Sequence, residues 1–562
     1  MSLELDWDQR KAVRAKGPVL VQAGAGAGKT RTLVAKAAAE CRKETRSVHI
    51  VTFTVAAAEE IGRRLEEAKL KAPPAFVGTL HAFCLSLIRW AGNTRELVDE
   101  EALELVMDEV AKRLRLKLTQ KRMRELAAGE ESMSGQERSF VGLYEKTLAE
   151  HGLLTYDGIL YTARELLGTS AALPYWKKAI FLIDEVQDSS VADLDIYETL
   201  LVRGAELWMV GDLQQAIYSF RHAVKADVWK WCSERKFGLR ELPTNYRSSQ
   251  AVVRALNVIN CDFRPRLEAK TAEGAKWGET TLLRASDELE LLGKLKGRIL
   301  RLLERYLAAP KEIAVLCRTN KECAQVASVL SAFVPVKAKE AARAERVPVR
   351  LWAALGFYRQ PQSDWMACRY LRSAGADDAG ELRAAAKAMT SVGHRIYPAL
   401  FAIERTKSEW VKWMDLLLVP KAEQAWFIER MPEGWQSLSW DEIVMRLFEV
   451  PLAQEVGEGV TVTTIHSAKG REWRHVLLAF CDQQSYRPKN GAEEMRVFFV
   501  GASRAIETLT FLFSERRLDE FRGGTVAVAM HEALERLVQA GKEEKAKSGS
   551  DEQANIEPTN EG

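Results

Sequence analysis

What this chain has little of narrows it first. Its eight cysteines (Cys41, Cys84, Cys232, Cys261, Cys317, Cys323, Cys368 and Cys481) are scattered and form no C-x-x-C pair. That argues against a zinc, iron–sulfur or disulfide framework and for a reducing cytosol. No signal peptide and no long apolar span can be read, so the expectation is a cytoplasmic protein without a membrane segment. Nor does one charge dominate: 81 Lys and Arg stand against 78 Asp and Glu, a formal net charge of +3. Any polyanion must therefore be met by a local groove and not by the whole surface. Length excludes a single core, since 562 residues imply about three to five domains.

What is present is organised around Val19–Thr30, an apolar run that passes into Ala23-Gly24-Ala25-Gly26-Ala27-Gly28 and closes on Lys29-Thr30. It reads as a phosphate-binding loop. Small residues let backbone N–H groups wrap phosphates, and the helix starting at Lys29 aims its positive end at them. Lys29 is expected to neutralise the β- and γ-phosphates of ATP, and Thr30 to hold Mg²⁺. The usual template begins with Gly, where this chain has Ala23.

Further along, Arg31 to Arg42 reads as an Ala-rich helix, Ser47–Thr54 as a strand leading to Phe53, and Ala56–Leu70 as an amphipathic helix. The strand-like piece Phe76–Phe83 places Thr79 and His81 toward its carboxyl end, where parallel sheets hold ligands. Taken alone, His81 reads as a satisfied structural histidine. Residues 91–172 turn helical and charged, as an insertion would. The sheet pattern returns in Ala179-Ile-Phe-Leu-Ile-Asp-Glu-Val-Gln-Asp188. A buried strand there delivers Asp184 to hold Mg²⁺ through water and Glu185 to polarise an attacking water.

The blocks that follow are LWMVGDLQQAIYSFR (207–221), LPTNYRSS (242–249), IAVLCRTN (313–320), VTVTTIHSAKGREW (460–473) and RVFFVGASRA (496–505). Together and in this order they resemble the UvrD/Rep family of superfamily 1 DNA helicases, over residues 9 to about 513. The resemblance implies an α/β fold with two RecA-like P-loop NTPase motor domains, each a parallel sheet flanked by helices and carrying a helical insertion. It implies a first motor from 1–90 and 173–243 around insertion 91–172. The second motor comprises 244–372 and 457–525 around a short Trp-rich insertion at 373–456, with a C-terminal helix and disordered tail at 526–562.

The same resemblance assigns roles. Gln9 reads the adenine, Arg31 and Tyr246 sandwich it, and Glu472 lies near the ribose. Gln215 senses the γ-phosphate, to which Arg247 and Arg504 are brought by the second motor, an arrangement suited to a loose phosphoryl transition state. Phe53, Thr79, His81, Tyr218, Phe220 and His466 would line a single-stranded DNA path, stacking giving grip without sequence preference. Phe53 and Phe220, at strand ends, favour stacking over core; for Tyr218 both readings stay open. The chain departs from the family at Val55-Ala-Ala-Ala58, at Leu213-Gln214 and in the length of 373–456, which puts a self-inhibitory role of that insertion in doubt.

These expectations amount to an ATP- and Mg²⁺-dependent translocase that unwinds DNA with 3′→5′ polarity. Its substrates would be single strands and tailed duplexes, and its protein partner a nuclease or a repair or replication factor. The alternative is a DNA-stimulated regulatory ATPase that displaces proteins or licenses a partner nuclease with little unwinding. Gly524–Leu534 resembles the opening helix of nuclease domains fused to some relatives, but too little chain follows to supply their metal-binding acids.

Overall fold

The computed structural model describes residues 4–43, 46–68, 70, 72–97, 100–127, 133–169, 178–217, 227–259, 265–269, 278–339, 419–430, 455–456, 459–481, 491–514 and 536. Short runs rich in Val, Ile and Leu, separated by amphipathic helices, form two sheets. Such runs carry no polar face, so they are stable only where helices cover both sides. The first sheet runs Phe76–Thr79, Ser47–Thr52, Ala179–Ile183, Glu206–Gly211, Val19–Ala23 and Gly238–Leu242 from edge to edge. Every pairing in it is parallel, and all five residues of Ala179–Ile183 are buried. The carboxyl ends therefore lie along one rim, which collects Gly24, Phe53, Thr79, Asp184 and Asp212.

The second sheet orders Glu279–Ala285, Ala505–Ser514, Trp473–Leu478, Ile313–Cys317, Val460–Thr464, Val336–Lys339 and Glu455–Val456. Its pairings are parallel except the last, which is antiparallel. The α/β class with two parallel, helix-flanked sheets, expected from the sequence, is what the chain adopts.

Between Trp90 and Ala179 the chain builds the helices Glu100–Arg113, Gln120–Ala127, Gly135–Glu150 and Tyr156–Gly168. They have no separate core: Val106, Phe140 and Ile159 belong to one continuous apolar cluster with Phe83, Phe181 and Met209 of the first sheet layer. Val419 and Phe427, from the second insertion, are buried in that same cluster. Apart from 419–430 and Glu455–Val456, the Trp-rich stretch lies outside the described residues, as do Gly524–Leu534 and the polar tail 541–562. The six described cysteines are free and buried, and no helix among the described residues is long and apolar enough to cross a membrane.

One local expectation is corrected. The strand from Phe76 stops at Thr79, and Leu80–Trp90 is helix. The Thr79 hydroxyl accepts the Ala82 N–H at 3.2 Å, an N-cap that turns an apolar run into a helix start. His81 is thus in the first turn of a helix and not on the strand.

His49, on the strand Ser47–Thr52, stacks on Phe181 at 4.8 Å and meets the edge of Phe83 at 5.8 Å. Burial pushes its pKa down to about 4 from an ordinary 6.5. Between those values the unfolded chain binds a proton that the folded one refuses, so this stability is present above pH 6.5 and is lost as pH falls toward 4. The difference is worth up to roughly 3 kcal/mol. His49→Phe should flatten the decline in melting temperature across that interval; an acid dependence identical to the parent protein's would contradict the assignment.

Candidate nucleotide and nucleic-acid sites

Gly26 and Gly28 bend the loop after Val19–Ala23 with φ of 68° and 76°, values that side chains other than glycine's resist. At Gly26 a Cβ would lie 2.9 Å from Cβ of Arg247, so the loop also needs glycine to let the second motor's arginine approach. Ala23 is still in the strand and fully packed, so the template's first glycine has no turn to make here. The helix Lys29–Cys41 starts with no side-chain cap, leaving its first N–H groups for an anion. Thr30 stands half-buried in that first turn.

Lys29 Nζ pairs with Glu185 Oε2 at 3.1 Å. Burial alone would lower the lysine's pKa, but Glu185, Asp212 and Asp184 outweigh it and the net shift is upward. Burial likewise opposes ionisation of Glu185, yet Lys29 and Lys469 hold it down at about 2. Asp184 goes the other way, to about 7, through burial and the neighbouring Glu185 charge. The adjacent acids are therefore split: one is an ionised acceptor, the other is short of positive charge. Glu185 adopts left-handed φ 50°, a strained conformation costing about 1–3 kcal/mol. It is fixed by its N–H to Asp184 Oδ1 at 3.0 Å and by the Gln187 amide at 2.5 Å.

The residues around the two acids fit a hard divalent cation. Thr30 and Asp184 are oxygen donors, and a Mg²⁺ site needs only one or two carboxylates beside water and phosphate oxygens. The raised Asp184 carboxyl is a group whose charge such a cation would restore.

Across the cleft, Arg504 is almost fully buried. Its guanidinium donates to Gln215 Oε1 at 2.8 Å, Ser503 Oγ at 2.8 Å, Val500 O at 3.0 Å and Arg471 O at 3.3 Å. All are neutral acceptors. Among the described residues no carboxylate pairs with it, and burial, then the nearby Arg247, push its pKa down to about 9. Gln215 also donates to Asp212 Oδ2 at 2.6 Å, which makes its amide a link between the acid cluster and the arginine. Arg247 pairs with Glu472 at 2.5 Å and donates to Ser503 O at 3.2 Å.

At the base end, the Gln9 amide donates to Ala27 O at 3.1 Å and accepts the Asp6 N–H at 3.2 Å. Tyr246 OH donates to Asp6 and Arg31 to Glu4 O; burial and then Asp6 raise the tyrosine's pKa. Gln9, Arg31 and Tyr246 thus converge on the segment Glu4–Gln9.

Of the residues expected on DNA, Phe53 is half-buried just past its strand and Thr79 is engaged as the helix cap. His81 stacks on Tyr156 of the first insertion, rings 4.0 Å apart and 13° from parallel, and burial takes its pKa down to about 4. His466 has a similarly depressed pKa of about 4, from burial and then Arg318, and hydrogen-bonds the backbone of Ile217. It therefore abuts the start of the segment bearing Tyr218 and Phe220, which lie outside the described residues.

Sequence reasoning missed the residues that join the two halves. Asn245, fully buried, donates to Ala25 O at 2.8 Å and accepts the N–H groups of Arg247 and Ser248 at 2.9 and 2.8 Å. Tyr246 N–H donates to Gly26 O at 3.0 Å. Ser248 and Ser249 hydroxyls then reach Ala505 O and Glu507 O at 2.7 and 2.9 Å. Lys469 adds a buried bridge to Asp188 and to Gln215 O. The only signal in the sequence was the polar run Thr-Asn-Tyr-Arg-Ser-Ser just past the strand Gly238–Leu242.

A parallel sheet with this loop and acid pair, facing arginines from a second such sheet, defines a two-motor P-loop NTPase. Residues 5–133 and 91–230 match the UvrD/REP helicase N-terminal domain, and residues 449–516 the UvrD-like helicase C-terminal domain. The chain belongs to the UvrD/Rep helicase family. It is 24% identical to ATP-dependent DNA helicase Rep of Escherichia coli (strain K12), over 92% of each chain. DNA helicase II of Haemophilus influenzae is 25% identical over 91% of this chain and 84% of that protein. ATP-dependent DNA helicase PcrA of Leuconostoc citreum is 26% identical, over 57% and 48%.

Asn245→Ala strips three backbone partners at once, each worth about 1–3 kcal/mol when left unsatisfied. It should lower the melting temperature and raise KM for ATP, because the loop loses its tie to Arg247. A variant with parental KM would show that the tie does not shape the nucleotide site.

Proposed function

We propose that this ATP-dependent DNA helicase moves 3′→5′ along a single strand and unwinds the duplex ahead of it. The observation that carries the ATP-driven motion is the buried contact of Arg504 with Gln215. It ties a charge of the second motor to the acid-bearing rim of the first, so occupancy of the cleft changes how the motors sit. Polarity rests on family membership alone.

Lys29 and the N–H groups at the start of its helix would receive the phosphates. Glu185, kept ionised, would accept the proton of the attacking water, and Arg247 and Arg504 would stabilise charge spreading over the transferring group. Mg²⁺, held by Thr30 and Asp184, would supply Lewis-acid neutralisation of the phosphate oxygens. Gln215 would report the change to the strand-binding rim, because Lys469 grips its carbonyl from the turn that also carries His466. Alternating grip by the two rims then yields directional stepping. A partner nuclease or a repair or replication protein fits this reading, since the motor alone selects no pathway.

Lys29→Ala should abolish hydrolysis and strand displacement while DNA binding stays largely intact. The parent protein should displace a strand from a 3′-tailed duplex and leave a 5′-tailed one paired. Substantial turnover in the variant would remove Lys29 from the site; a preference for 5′ tails would reverse the polarity.

Phe53→Ala should weaken DNA-stimulated ATPase by roughly the 1–3 kcal/mol of one stacked base, with basal ATPase and the salt dependence of DNA binding nearly unchanged. If basal turnover and melting temperature fall together instead, Phe53 is core and not part of the strand path.

A further inference from the structure

Lys36 lies on the helix Lys29–Cys41, two turns beyond the lysine that receives phosphate, and is almost fully buried. Its ammonium reaches Val13 O at 3.1 Å, Ala15 O at 3.0 Å and Glu40 Oε1 at 3.0 Å. All three of its donors are used. Glu40, itself buried, also holds Lys43 at 2.9 Å and Arg46 at 3.0 Å. A buried ammonium has a desolvation cost that an apolar side chain of the same volume would avoid, so filling space does not explain it.

The carbonyls it binds belong to the end of the helix Trp7–Arg14, where backbone acceptors lack partners within the helix. Trp208 Nε1, from the middle of the first sheet, takes Ala12 O of the same turn at 3.1 Å. The start of this short helix is held by the reciprocal Asp6–Gln9 cap, and there the Gln9 amide touches Ala27 O of the phosphate loop. Eight residues of helix act as a rigid rod about 12 Å long. Where its carboxyl end is seated decides where the Gln9 amide stands relative to the loop.

We propose that Lys36, with Trp208, is a positioning residue for nucleobase recognition: it sets the register of Gln9 against the phosphate loop, and so the preference for ATP over triphosphates of other bases. The proposal rests on the reading of Gln9 as the adenine-contacting residue. Lys36 touches neither base nor phosphate; it acts through the seat of the glutamine helix.

The test is DNA-stimulated hydrolysis of ATP and GTP by the full chain in Lys36→Met, Trp208→Phe and Gln9→Ala, with kcat and KM determined separately. Lys36→Met should raise KM for ATP, leave kcat at saturation close to the parent value, and change GTP little. The ATP/GTP ratio of kcat/KM should fall about tenfold, the worth of one hydrogen bond, toward that of Gln9→Ala. Trp208→Phe, which keeps an aromatic ring of smaller volume and loses the indole N–H, should show a smaller change of the same kind. A parental ATP/GTP ratio in Lys36→Met, or equal loss of kcat with both nucleotides, would make the lysine structural and overturn the proposal. Should Lys36→Met fail to fold, Trp208→Phe decides: an unchanged ratio overturns it. If Gln9→Ala keeps the parental ratio, the adenine reading itself falls, an outcome separate from failure of Lys36→Met alone.

Discussion

The structure depends on a buried positive charge that no carboxylate among the described residues pairs with. Arg504 rests on the Gln215 amide and on backbone carbonyls, an arrangement that solvates a guanidinium without neutralising it. Opposite stand Asp184 and Asp212, both pushed by burial toward the protonated form. Placing such groups in low dielectric without full compensation is unfavourable. A polyphosphate with its divalent cation would answer both deficits, anion for the arginines and cation for the acids. On the proposed reading the cleft would be more stable when loaded, and that difference is what a nucleotide-driven motor would have available for work.

The second constraint is how closely the two sheets are stitched at one point. Within five residues, Asn245 and Tyr246 bind the phosphate loop while Ser248 and Ser249 bind the start of Ala505–Ser514. Arg247 sits between these attachments and can only follow both. A movement of the second sheet would therefore reach the loop through this segment. The Lys469 bridge to Asp188 and Gln215 O does the same from the turn that bears His466. In this way the proposed nucleotide and nucleic-acid rims would share residues.

The fold was readable because the central parallel strands, such as Ala179–Ile183 and Glu206–Gly211, are short, largely apolar and end in Gly or are followed by Asp. The phosphate loop and Asp184-Glu185 are such punctuation, and the motif order supplied the arginines and the rest. Burial of polar residues was not readable. Nothing in the spelling of Asn245 or Lys36 separates a buried, fully bonded side chain from a solvated one. His81 looked like part of the strand ending in Phe83 because capping depends on where the backbone turns, and an apolar run alone does not fix the turn at Thr79. The first insertion read as a separate helical unit, yet its amphipathic faces do not name the core they enter; Phe140 and Phe181 share one. The shared core ties that insertion to the first motor, and the stack of His81 on Tyr156 lies at their junction.

The most direct measurement of the central claim is single-turnover ATP hydrolysis by Arg504→Ala, with nucleotide binding followed separately. The account predicts that ATP still binds, because Lys29 and its helix remain, while the hydrolysis step slows about 10³–10⁵-fold with or without single-stranded DNA. Hydrolysis within tenfold of the parent protein would contradict it, and would mean that the buried guanidinium holds the two sheets together without acting on the phosphate.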